Sequence, residues 1–334
     1  MGTTFAAGAT RAAGTGQTVP PALPRLLRRI PLGLPREAGE SLTPDGRYLL
    51  IAAGNSAIVV DAARAEAGTP HAVLGVLAVP GVSLRDEMKA SAIEVSTSRD
   101  GRFAFVSLEY DDAVAVFDLH LALRNHFRRS GFVGLIRLGH AVVGSAVSPD
   151  GRWLYVTSEI GAGPLRADRP GSLSVIDVRR AESDPAHSIV AGAAAGCQPV
   201  RVAVSPDGRY VWVTARGSDT LLSFSAAELR RDPQRALVAA VRVGEAPVGL
   251  ALIDHGREAV VADSNRFGAS GAGANVALID TQDALDGKAS LRGTVRSGAF
   301  PRELAVEPND ETVLVTNFDS AQLEAVDFAG SHTR

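Results

Sequence analysis

One cysteine, Cys197, is all that this 334-residue chain contains. A disulfide framework within one chain is thereby excluded, and so is a zinc site built on thiolates. Positive charge is not in excess either: 34 Lys and Arg stand against 37 Asp and Glu, for a formal net charge of -3. Phosphate-driven binding of nucleic acid needs a broad positive field, so DNA and RNA are not expected partners. No apolar run is long enough for a membrane helix, and no membrane partner is expected. No basic segment followed by a continuous apolar one marks a signal peptide. As written the chain reads as cytoplasmic, and as secreted or periplasmic if a leader precedes it. A Walker loop, a dinucleotide fingerprint, a zinc-binding helix motif and a nucleophile elbow are all missing.

What is present is a large apolar fraction, 46%, with 34 Gly and 18 Pro. Such a chain can bury a sizeable core while making many tight turns. Residues 1–24 are rich in Ala, Gly, Thr and Pro without apolar periodicity and read as a disordered leader. Residues 25–334 read as one domain, because a repeat runs through them. Thr-Pro-Asp-Gly-Arg at Thr43–Arg47 returns as Ser-Arg-Asp-Gly-Arg at Ser98–Arg102 and as Ser-Pro-Asp-Gly-Arg at Ser148–Arg152 and Ser205–Arg209. Degenerate copies lie at Asp254–Arg257 and Glu307–Asp310. The turn residues Gly46, Gly101, Gly151, Gly208, Gly256 and Asp310 follow one another at steps of 48 to 57 residues.

Each unit has one grammar. An alternating apolar run meets the turn, and a run rich in β-branched and aromatic residues follows, as in Tyr210–Thr214. A third run ends in Asp (Asp61, Asp118, Asp177, Asp280, Asp327), placed to cap a short helix. A fourth apolar run closes the unit. Four strands per unit in six units predict an all-β, six-bladed β-propeller, with seven blades as the alternative. The last unit stops after its third strand. The apolar stretch Leu26–Leu32 is expected to supply the fourth and so close the ring.

Aligning the units on the turn exposes rings of equivalent residues. Seven positions before the turn residue the ring reads Gly39, Glu94, Gly144, Arg201, Gly249, Glu303. These begin the innermost strands and should line the channel mouth. Glu94 and Glu303 could bind a cation or act as acid and base, with Arg201 clamping an anion. The alternative is an internal ion-pair network that plugs the channel. Eight positions after the turn lie Glu109, Glu159, Arg216, Ser264 and Phe318, preceded by Asp263 and Asn317 in their blades. Their ligand-binding reading competes with that of a solvated rim. His140 and Cys197 each stand eleven positions before their turn glycines, on neighbouring blades. A thiol beside an imidazole can be an activated nucleophile; the competing reading is a small buried thiol. Two long loops, 160–172 and 265–274, would bring Arg166, Arg169 and Arg266 over the same mouth.

The phrases Val202–Thr214, Val147–Thr157 and Val313–Asn317 resemble the YVTN repeat family of propellers, which includes YncE-like and surface-layer proteins. The sequence is also similar to lactonase-type propellers. The first resemblance implies a protein that binds a small molecule or a protein partner through its loop-bearing face. The second implies a lactone or ester hydrolase, with calcium or another divalent cation held by Glu94, Glu303, Asp263 and Asn317. A monomer is expected.

Overall fold

The computed structural model describes Leu32 and residues 38–81, 91–164, 166, 169–268 and 273–329. They form six antiparallel sheets arranged as the blades of a propeller, spanning residues 40–78, 92–137, 140–194, 199–242, 247–296 and 301–327. Each sheet is a simple meander. Five have four strands, and the sixth has three among the described residues. The expected closing strand, Leu26–Leu32, lies outside the described residues except for Leu32, which packs against blade one near Ile51 and Ile58. The 1–24 leader lies outside them too. Among the described residues no helix is long and apolar enough to cross a membrane.

The turn motif satisfies itself. In blade three the Ser148 hydroxyl donates to Asp150 (2.5 Å), Asp150 accepts the Arg152 amide (3.0 Å), and Ser148 accepts the Trp153 amide (2.9 Å). Blades one, two and four repeat this pattern. The Thr43 hydroxyl and the Arg47 amide hold the Asp45 carboxyl below its usual range. Gly151 sits at φ 72°, the left-handed conformation that such a turn demands. The following Arg lies over the next aromatic ring: Arg47 on Tyr48, Arg102 on Phe103, Arg152 on Trp153 and Arg209 on Tyr210, at 4.7 to 5.4 Å. The conserved-looking charge of the repeat is therefore spent on the turn. The strand-ending Asp does cap a helix: Asp118 accepts the Leu121 amide at 2.7 Å, and Asp61, Asp177 and Asp280 do the same. Ser225 takes that role in blade four.

The core lies between blades. In the second strand of blade two, Ala104 and Val106 face blade one while Phe103 and Phe105 face blade three. A strand buried on both faces reads as a nearly continuous apolar run, Phe103–Leu108 with Ser107 the one polar residue, even though its side chains alternate. Near the axis the first strands of consecutive blades touch. There the threonines of two Val-Thr phrases join neighbours. Thr157 Oγ1 donates to Val200 O (2.6 Å) of the next blade and accepts the Gly144 amide (2.9 Å) of its own. Thr214 Oγ1 donates likewise to Val248 O (2.9 Å) and accepts the Arg201 amide (3.0 Å).

Candidate ligand-binding funnel

The innermost strands of blades two to six each carry a β-bulge at their mouth end, at Ile93–Glu94, Val143–Gly144, Val200–Arg201, Val248–Gly249 and Arg302–Glu303. A bulge sets two residues against one, so successive side chains can both serve the channel. The glycines of the odd blades make room for their neighbours. A Cβ on Gly39 would stand 2.6 Å from Glu94 Oε1, one on Gly144 2.1 Å from Val200 O, and one on Gly249 2.7 Å from Arg302 O.

In this setting Glu94, Arg201 and Glu303 converge. Arg201 is 7% exposed. Its Nε donates to Glu303 Oε2 (3.2 Å) and its Nη2 to Glu303 Oε1, while Nε stands 3.4 Å from Glu94 Oε2. One guanidinium thus spans the axis between blades two and six. Burial opposes the Arg201 charge, but the two carboxylates more than offset it and raise its pKa above the ordinary guanidinium value. Glu94 is pushed up to about 7 by burial, against the pull of Arg201. Of the two readings of these residues, the contacts are those of an internal ion-pair network. Glu40 of blade one is raised by burial and then by the charge of Glu303.

Above this plug opens a funnel of about 310 Å³ on the loop-bearing face. Its floor is a ring of Ile93, Val143, Val200 and Val248, one position before the charged ring; Arg302 holds the equivalent place in blade six. Phe300 and Phe318 pack edge to face (5.6 Å) beside it. Arg266 lies over Phe300 (5.5 Å) and Arg302 over Phe318 (5.3 Å). Burial depresses the Arg302 pKa, and the neighbouring charges of Arg201 and Arg266 add to that. Across the mouth stand Glu109, Tyr110 and the pair Arg216–Glu159 (2.8 Å). Burial raises Glu159, with Arg216 opposing.

Several expected site residues lie elsewhere. Asp263 and Asn317 do not line the funnel. Each ends the second strand of its blade and turns to an inter-blade loop. Asp263 is fully buried beside Gly244, with no well-formed hydrogen bond to either oxygen; burial pushes it up to about 7, the Gly244 amide opposing. Asn317 Oδ1 accepts from Ser297 (2.9 Å). Asp263 and Asn317 thus lie apart from Glu94 and Glu303, and among the described residues no group of three or more His, Cys, Asp or Glu is placed to hold a metal. His140 and Cys197 form no dyad. The His140 ring meets Asp112 through Nδ1 (2.6 Å) and Gly163 O through Nε2 (2.8 Å), and these two contacts raise its pKa. Cys197 is exposed on its own loop. Arg166 is exposed and does not line the funnel, and Arg169 bonds Ala162 O within its own loop (2.5 Å).

No family model and no curated protein matches the sequence. Solved structures match the fold. A Kuenenia stuttgartiensis hydrazine synthase chain aligns with a TM-score of 0.57 and 18% identity over 90% of this chain and 98% of its own. A Bacteroides uniformis protein assigned provisionally as a 6-phosphogluconolactonase aligns with a TM-score of 0.64 and 15% identity, over 88% and 81%. At these identities the likeness is one of architecture: the chain is a six-bladed β-propeller.

Proposed function

We propose that this protein is a YVTN-type propeller that binds a small molecule in the funnel on its loop-bearing face. The observation that carries this reading is the funnel itself: concave, with an apolar floor and two phenylalanines facing six charged side chains, Glu109, Glu159, Arg201, Arg216, Arg266 and Arg302. Small-molecule sites join apolar walls to converging polar groups, and 310 Å³ lies at the low end of their usual range. The ionic plug beneath makes it a cup and not a pore. A thermal-shift screen of small molecules on the full chain tests the reading. Compounds that raise the melting temperature should lose that effect in Val248→Trp, which fills the floor. If no compound shifts the transition, or if the variant binds as before, the funnel is not the site.

One feature favours a second reading, hydrolysis of a lactone. Glu94, at about 7, has the proton affinity that a general acid or base needs near neutral pH. Its engagement with Arg201 argues for the plug instead. A panel of lactones decides: turnover that Glu94→Gln abolishes would establish hydrolysis, and no turnover would remove it.

A further inference from the structure

The funnel is electrically lopsided. Eight charged groups face it or lie just under its floor: Arg201, Arg216, Arg266 and Arg302, and Glu94, Glu109, Glu159 and Glu303. Arg216 is taken by Glu159. Both oxygens of Glu303 are taken by Arg201, which Glu94 also approaches. That leaves Arg266 and Arg302 on the side of blades five and six, against Glu109 opposite. Arg302 reaches only Glu303, at 3.5 Å and already shared. Arg266 has no carboxylate within ion-pair distance among the described residues. Each guanidinium carbon lies over a phenylalanine ring, 5.5 and 5.3 Å from its centroid. A cation–π contact of this kind consumes no hydrogen-bond acceptor and leaves N–H groups for a ligand. Arg302 is half-buried and Arg266 stands exposed at the rim, and the charge of Arg266 acts on Arg302; two such cations call for a negative charge between them.

The other half of the cup is aliphatic. A ligand rich in hydroxyls would surrender its water to Ile93, Val143, Val200 and Val248 without gaining hydrogen bonds. Size adds a third constraint. At ~30 Å³ per water-sized group, 310 Å³ holds about ten non-hydrogen atoms. Resting on the binding reading above, we infer that the funnel takes a small organic anion with a compact apolar body, its carboxylate or phosphate between Arg266 and Arg302 and its body on the valine-rich floor.

Isothermal titration of the full chain with four matched probes tests this: phenylacetate, phenyl phosphate, phenylacetamide and phenethylamine. At least one of the two anions should bind, more tightly than the amide, and the amine should not bind. The stronger anion identifies the head group. Arg302→Gln and Arg266→Gln should each weaken that anion by about ten- to a hundredfold, the loss expected for one hydrogen bond to a charged group. Glu109→Gln should tighten it, which an unfolded or loosened variant could not do. If the amide or amine binds as well as the anions, or neither Arg variant changes the affinity, the anion assignment is overturned while the funnel remains a site. Silence from all four probes also overturns the assignment; the binding reading falls with it only if the wider screen finds nothing.

Discussion

Replacing Asp263 by Asn should stabilise this protein, and the gain should depend on pH. Asp263 is fully buried, and burial holds its carboxyl at about 7 in place of an ordinary value near 4. The folded state therefore keeps a proton that the unfolded chain gives up. Between pH ~4 and ~7 the native state binds more protons than the unfolded one, so stability falls as pH rises through that window. Above pH 7 the penalty is complete. A shift of ~3 units corresponds to about 4 kcal/mol, and at pH 5 to under about 2. Asn keeps the shape and carries no charge, so Asp263→Asn relieves the penalty. An unfolding entropy of ~2.1 cal/mol/K per residue over roughly 300 ordered residues converts these figures to Tm gains of about 6 °C at pH 8 and about 2–3 °C at pH 5. Scanning calorimetry of both proteins across pH 5–8 is the assay. A variant less stable than the parent at pH 8, or a gap that ignores pH, would refute the reasoning. So would a calcium-dependent rise in the parent's Tm that the variant lacks, since the carboxylate would then be a ligand and not a burden.

Three further outcomes follow from the packing. Arg201→Met leaves buried Glu94 and half-buried Glu303 facing each other unpaired; with solvent screening Glu303 in part, it should cost about 2–3 kcal/mol, part of which Glu94→Gln should restore; urea titration of the single and double variants measures both. Thr214→Val keeps the shape but strands the buried Arg201 amide and Val248 carbonyl, for a loss of about 1–3 kcal/mol read from the same titration. Asp118→Ala removes a helix cap bonded at 2.7 Å and should cost about 0.5–2 kcal/mol, with hydrogen exchange rising first at the Leu121 amide.

The fold was legible because its information is local and repeated. A Ser-Pro-Asp-Gly-Arg turn closes its own hydrogen bonds within six residues, so it can be read without knowing what surrounds it. Repetition then counts the blades. The charged ring was legible too: the unit alignment brings Glu94, Arg201 and Glu303 together, as the structure does. Its chemistry was not, because whether three charges serve a ligand or one another depends on distances of a few ångströms. The apolar floor escaped for a different reason. Period-two alternation puts Val200 and Arg201 on opposite faces, and a bulge, unmarked in the sequence, cancels that rule. Asp263 and Asn317 stand one position before the predicted ring and are expected at the same mouth, yet their side chains turn to the loops beside Gly244 and Ser297. His140 and Cys197 show the limit of equivalence by alignment: matching positions on neighbouring blades share a face without sharing a contact.

The guanidinium of Arg201 also acts as a gauge of ring size. It reaches from blade four to carboxylates on blades two and six, so it measures the width of the hole. In a ring widened by a seventh blade it could not span that gap, and at least one buried carboxylate would be left alone at a cost of about 3–5 kcal/mol. Circumference is otherwise weakly specified in a propeller, since each blade contacts only its neighbours. Three residues at the axis join blades two, four and six, which are not neighbours in the ring. A chain carrying a duplicated copy of residues 199–246 would test this: a stable seven-bladed ring as resistant to urea as the parent would show the gauge to be idle.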